Sequence, residues 1–281
     1  MKITELSITT LSENTAGMGN FLAEAGLSIL LEARGMRVLL DTGKGISTCH
    51  NADSLGVDLT KLDKIVLSHG HLDHTGGLRQ VLRRIERDIE VIAHPDVWAD
   101  KYNRRKGRKE RFIGVPFQRQ ELESHGAVFR LSTGPVKIAD DILTTGEVPR
   151  VTDFEDMPTH LMVREGSRWR RDELKDDQAL VIDTEQGLFV ILGCAHRGII
   201  NTLYHARQLT GVARIHTVVG GAHLLDASEE RVSRTIAVLK ELDVQRLGLC
   251  HCTSLPAASI IAHEFGDRFF FNNAGNRIEL P

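Results

Sequence analysis

Ten consecutive residues, Ser68-His69-Gly70-His71-Leu72-Asp73-His74-Thr75-Gly76-Gly77, constrain this chain more than any other feature. They follow an apolar, β-branched run, Lys64-Ile65-Val66-Leu67, that reads as a buried strand. Side chains two apart on an extended chain share a face. His69, His71 and Asp73 are therefore expected on one side, with His74 reaching the same pocket from the turn into the next helix. Imidazole and carboxylate groups are ligands of borderline divalent metals. Four such donors in six residues exceed what one catalytic ion needs from one loop, which points to two adjacent ions. The competing reading is a surface histidine cluster without metal, since Gly70, Gly76 and Gly77 would give a tight loop either way.

The surrounding pattern is layered α/β. Residues 28–33 and 37–41 read as strands joined by a hairpin-like Arg34-Gly35-Met36. Leu78, Val81, Leu82 and Ile85 have helical spacing, and 89–93 reads as the next strand. Residues 101–111 hold seven Lys and Arg and read as a loop or insertion, extending to about 117. Strands resume around 127–131, 142–145 and 159–164, and a polar stretch spans 166–178. Strands at 179–183, 187–192, 214–219, 245–249 and 268–271 then interleave with helices near 197–209, 228–241 and 256–264. Nothing forces a domain boundary, so 1–281 is read as one domain.

His69-x-His71-x-Asp73-His74 after an apolar strand resembles the signature of the metallo-β-lactamase superfamily, and Asp41-Thr42-Gly43 resembles its early strand end. Gly193-Cys194-Ala195-His196, Gly220-Gly221-Ala222-His223, His251-Cys252-Thr253, Gly146-Glu147-Val148-Pro149-Arg150 and Gly26-Leu27-Ser28 are similar to one branch. That branch is described as metal-dependent hydrolases and includes archaeal dihydropterin–ribofuranosylaminobenzene phosphate synthases. The resemblance implies an αβ/βα sandwich of two mixed sheets with helices outside and metals at one edge. It implies His69, His71 and His196 on a first ion, and Asp73, His74 and His251 on a second. The expected cofactor is one or two divalent ions, zinc first, with manganese or iron as alternatives.

Several positions carry their own readings. Many members of the superfamily place a bridging Asp where this chain has Cys194, which is either a thiolate ligand or a buried inert thiol. Asp41 reads as orienting a ligand imidazole, not ligating. His223, after two glycines, reads as a substrate contact or proton shuttle, or else as a structural histidine. Asp73 would orient the nucleophile while ligating. Arg150 is a candidate anion contact, and the segment 101–111 either caps the site or is a solvated loop. Asp177 reads as a solvated acidic turn, the alternative being a position behind the ligands. If His251 lies on an extended segment, the thiols of Cys250 and Cys252 point away from the pocket.

The expected function is hydrolysis of an ester, phosphoester or lactone by a metal-held hydroxide. The alternatives are a synthase-type transfer that releases pyrophosphate, and a non-catalytic metal sensor with a closed coordination shell. The substrate is expected to be a small, anionic or phosphorylated molecule. A net charge of −3 and only two Trp and two Tyr argue against nucleic acid. The start lacks a signal-like apolar run, no stretch is long enough to span a bilayer, and the four cysteines make no CxxC pair. The expectation is a cytoplasmic protein, with its oligomeric state open.

Overall fold

The computed structural model describes residues 2–280. The first third runs β1 (Leu6–Ser12), β2 (Ser28–Ala33), β3 (Met36–Leu40), α1 (Ser47–Ser54), β4 (Lys64–Val66), α2 (Leu72–Thr75), α3 (Leu78–Ile85) and β5 (Ile89–Ala93). The middle adds β6 (Lys101–Asn103), β7 (Arg111–Phe112), α4 (Arg119–Ser124), β8 (Ala127–Leu131), β9 (Lys137–Ala139), β10 (Ile142–Thr144), β11 (Leu161–Glu165) and β12 (Arg168–Arg171). The last third runs β13 (Ala179–Thr184), β14 (Gly187–Leu192), α5 (Ile199–Thr210), β15 (Ile215–Gly221), α6 (Glu229–Glu241), β16 (Arg246–Cys250), α7 (Leu255–Phe265) and β17 (Arg277–Leu280).

Two mixed sheets carry the fold, in the orders β17-β1-β2-β3-β4-β5-β8 and β16-β15-β14-β13-β10-β9. Strand alternation assigns each side chain to a layer. On β2, Ile29 and Leu31 point between the sheets, while Leu30 packs outward against helices. On β14, Phe189 and Ile191 face the first sheet, while Leu188, Val190 and Leu192 meet the helices behind the second. Both faces of these strands are covered, so they read as continuous apolar runs. The outer layers are α1 and α3 on the first sheet and α5, α6 and α7 on the second. The expected αβ/βα sandwich is the observed fold.

Chain direction places the site. β3, β4 and β5 run parallel, as do β14, β15 and β16. Their carboxyl ends gather at one edge of the sandwich, where open α/β sheets present functional loops. The two sheets are joined there by Gln178, whose N and Nε2 donate to Ser68 O at 3.0 Å and Leu67 O at 2.9 Å.

Three readings of the sequence are corrected. The basic segment is not only a loop, because Tyr102 and Asn103 pair with Phe112 and Arg111. β6 pairs in turn with β11, and β11 with β12, so the basic and polar segments form a third sheet. Tyr102 packs against Phe112 and Trp169 at centroid distances of 5.3 and 5.1 Å, which gives that sheet an apolar seam. No strand forms at 268–271, where Gly266–Arg268 is a 3-10 turn and only Phe269 bridges to Leu247. Instead β17 closes the edge beside β1. No helix of the described residues is long and apolar enough to cross a membrane.

Candidate metal centre

The chain remains extended only as far as His71, which is the N-cap residue of the short helix α2. Asp73 and His74 lie on that helix and are aimed elsewhere by it, so the simple alternation expected for His69, His71 and Asp73 does not hold. Two groups result. His69 Nε2 lies 3.0 Å from His71 Nδ1, and His196 Nε2 lies 3.2 Å from each of them. In the second group, His74 Nε2 lies 3.2 Å from His251 Nε2 and 3.1 Å from Cys194 Sγ. Asp73 Oδ2 is 3.5 Å from His251 Nε2. Cys194 Sγ is within 4.8 Å of donor atoms of His69 and His196 in the first group and of His74 and His251 in the second, and so stands between them.

Backbone conformation brings the later residues in. Cys194 and His196 lie past the end of β14 and are turned together by Ala195 at φ 50°, not by continued extension. His223 and His251 have φ of 44° and 54°. Because His251 opens a 3-10 turn, Cys252 does not point away as expected. It lines the cavity, and its thiol donates to Cys194 O at 3.4 Å and accepts from His223 N at 3.3 Å. A Cβ on Gly221 would lie 2.5 Å from that thiol and 2.6 Å from Gly193 O, so the glycine permits this close approach.

Neighbours fix the ring orientations. Asp41 is fully buried and accepts from Ser68 N at 2.7 Å and Ser68 Oγ at 2.6 Å. It also accepts from His74 Nδ1 at 2.6 Å, which leaves His74 Nε2 free to face the group. With its own proton committed to Asp41, Ser68 Oγ accepts from His69 Nδ1 at 2.8 Å. His251 Nδ1 donates to Asn14 Oδ1 at 2.8 Å, and its backbone N to the buried Glu13 at 2.7 Å. Asp41 is thus hydrogen-bonded to His74 and, through Ser68, to His69, while Asn14 and Glu13 hold His251. Asp177 is buried and accepts from Arg197 N at 2.9 Å, so it is no solvated turn. Burial pushes its carboxyl up to about 7.

A buried lysine supports the loop. Lys101 Nζ, 1% exposed, sits 2.8 Å from Asp172 and 2.9 Å from Asp176. Burial opposes its charge, but the two carboxylates prevail and hold it protonated. The other oxygen of Asp176 accepts from Gly70 N at 2.8 Å, between His69 and His71. The third sheet is thereby tied to the histidine loop.

The donor set fits divalent ions. Burial, reinforced by neighbouring cationic groups, pushes His69, His71 and His196 well below the usual imidazole range. Three neutral rings that aim nitrogens at one point satisfy one another poorly. Donors arranged tetrahedrally on bonds of about 2.0–2.1 Å lie roughly 3.3 Å apart, close to the observed spacing. Burial lowers His74 as well, but Asp41 and Asp73 outweigh it and raise it. Burial raises Asp73, yet His74, His251 and His71 hold it far below the ordinary carboxylate range. These carboxylates demand positive charge, as a metal site does. Burial and the adjoining Cys252 push the Cys194 thiol up, and a coordinated cation would reverse that shift.

A cavity of about 470 Å³ opens onto both groups. His223 lines it, with its ring 4.2 Å from that of His196. Burial, then Arg231 and His251, lower His223 to about 4. Arg150 is not brought to the cavity; its guanidinium donates to Glu155 O at 3.1 Å, so the geometry does not meet the expected anion contact. Lys44, Arg105, Arg111 and His160 are there instead. Arg105 and Arg111 belong to the basic segment, whereas no local pattern marks Lys44 or His160.

The αβ/βα sandwich carries clustered His, Asp and Cys donors at its strand ends, an arrangement able to hold metal ions. The family model of the metallo-β-lactamase superfamily matches residues 23–197, and the chain belongs to that superfamily. It is 32% identical over 291 residues to the 7,8-dihydropterin-6-methyl-4-(β-D-ribofuranosyl)-aminobenzene-5′-phosphate synthase of Methanocaldococcus jannaschii, covering 99% of this chain and 98% of that protein. Tm1679, described as a metal-dependent hydrolase of the β-lactamase superfamily, superposes with a TM-score of 0.84 at 29% identity, covering 97% and 98% of the two chains. YhfI of Bacillus subtilis shares the fold at a TM-score of 0.60 and 13% identity, covering 98% and 99%.

Proposed function

We propose that this chain is a metal-dependent enzyme of the hydrolase type, cleaving an ester, phosphoester or lactone bond in a small anionic molecule. The observation that carries the reading is the pair of donor groups meeting at Cys194 beneath one cavity. In this reading His69, His71 and His196 hold one ion, Asp73, His74 and His251 hold a second, and Cys194 stands between. Zinc suits the mixed imidazole and thiol donors best, with manganese and iron as alternatives. Such ions polarise a substrate oxygen and lower the pKa of water. Asp73 accepts a hydrogen bond from water or a substrate hydroxyl at the cavity floor. His223 contacts the substrate beside His196, and Asp41 and Ser68 hold the rings so that little reorganises on binding. The open cavity favours turnover over a closed sensor site.

A second reading, synthase-type transfer with release of pyrophosphate, is favoured by the end-to-end similarity to the archaeal synthase. Elemental analysis of wild type and of Asp73→Ala/His74→Ala tests the centre, alongside a panel of esters, phosphodiesters and lactones and a pyrophosphate-release assay. About two metal equivalents, falling to one or fewer in the variant with loss of ester or lactone turnover, supports the hydrolase. Pyrophosphate release without turnover of the panel supports the synthase. Metal unchanged in the variant overturns the site.

A further inference from the structure

The third sheet and the chain flanking its β7 strand form one wall of the cavity over the donor groups, with Arg111 on β7, Arg105 in the β6–β7 connection and Ile113 just past β7. Lys44, from the loop after β3, lines the cavity from the first sheet. These three cations meet only two lining carboxylates, Asp73 and Asp226. Asp73 is committed to the His251 side of the metal-ligand cluster. Asp226 is paired with Arg105 at 2.6 Å, a contact that joins the third sheet to the loop after β15. Among the described residues, neither Lys44 nor Arg111 has a carboxylate within ion-pair distance, and both are exposed. The wall therefore carries positive charge that the protein does not neutralise.

Two such cations and a third that can exchange its partner match a dianion better than a single carboxylate. Guanidinium forks pair with phosphate oxygens in two parallel hydrogen bonds, and an ammonium adds a point charge. Asp226 and the side chain of Arg105 are 53% and 40% exposed, so their pair is weak enough to be displaced. Ile113, Leu161 and Leu225 lie along the same cavity and would cover a less polar portion of a ligand.

We propose that Arg111, Lys44 and Arg105 form a subsite for a phosphomonoester carried by the substrate, distinct from the metal-ligand cluster, and that Arg105 exchanges Asp226 for the phosphate on binding. The inference rests on reading the cavity as the substrate site. It makes the substrate a phosphorylated small molecule whose phosphate anchors it and is not the group attacked.

Calorimetric titration of the full-length, metal-loaded protein with ribose 5-phosphate, and with ribose as control, tests this. Ribose 5-phosphate is expected to bind and ribose not. Arg111→Ala and Arg105→Ala should each weaken binding about tenfold or more, and Lys44→Ala should also weaken it. Asp226→Asn should tighten binding roughly two- to fivefold by releasing Arg105. Equal affinity in wild type, Arg111→Ala and Arg105→Ala, with binding abolished by chelation, means that phosphate sits on the ions alone and overturns the subsite. Failure of wild type to distinguish the sugar phosphate from the sugar also overturns it. A protein that holds no metal yet binds ribose 5-phosphate through Arg111 would sink the functional reading and leave the subsite standing.

Discussion

Asp41 and His74 are joined by a 2.6 Å hydrogen bond between fully buried groups. Asp41 sits at φ 59°, a left-handed conformation that Asp and Asn tolerate better than other side chains with a Cβ. The same carboxylate also holds Ser68, and through it His69, so one residue orients a ring in each donor group. Asp41→Asn keeps the shape and the backbone conformation but removes the charge. It is expected to lower metal affinity about 10- to 100-fold, as loss of a partner behind a ligand does elsewhere. Competition with a chromogenic chelator measures this without any substrate, and unchanged affinity would show that the bond serves folding alone.

Gly193 leaves room for that arrangement. A Cβ there would lie 2.1 Å from Ser68 Oγ and 2.4 Å from Ser68 Cβ. Both sheets are anchored at this edge, so neither side can give way freely. Gly193→Ala is expected to destabilise the fold by about 1–3 kcal/mol through overpacking and to displace Ser68 from His69. Urea unfolding measures the first effect and chelator competition the second. Loss of metal affinity in a variant of unchanged stability would separate the two.

Lys101 makes a larger difference than a surface ion pair. Lys101→Met would leave Asp172 and Asp176 buried and without their countercharge, at an expected cost of about 3–5 kcal/mol. Asp172→Asn should cost less, because Lys101 keeps Asp176. Equilibrium unfolding in urea ranks the two, and the reverse order would contradict the buried triad as drawn.

The legible part of the chain was the part governed by local pattern. The continuous apolar runs of β2 and β14 gave the buried strands, and helical spacing gave α3, because each signal needs only neighbours in sequence. The positions of His69, His71, Asp73 and His74 followed from six residues, although their division into two groups depended on α2 starting immediately after His71. The third sheet was hidden, although the strand read at 159–164 is its β11, because β6, β7 and β12 are short and carry Arg and Lys, and because β6 finds its partner β11 some sixty residues on. The orientation of Cys252 was hidden for a different reason. It depends on His251 adopting positive φ, which no neighbouring glycine or proline announced. Asn14 and Glu13 reach His251 from 237 and 238 residues away, and nothing local marks either one.

Cys194 lies where the two donor groups meet. Its thiol is 3% exposed by residue and lies 3.1 Å from His74 Nε2, while His69 and His196 also fall within ligand range. Burial alone would keep it protonated and inert; a coordinated ion would make it a thiolate. Replacement of the native metal by cobalt distinguishes these states. A thiolate ligand gives a sulfur-to-cobalt charge-transfer absorption in the near ultraviolet, and an inert thiol gives none. The band is expected in wild type, absent in Cys194→Ser, and retained in Cys252→Ser. Cys194→Asp should still bind cobalt, without the band, because a carboxylate oxygen can take the same position between the groups. A band that survives Cys194→Ser but disappears in Cys252→Ser would move the ligand role to Cys252. Its absence from wild type would leave Cys194 as a packed thiol and the two groups as separate histidine sites.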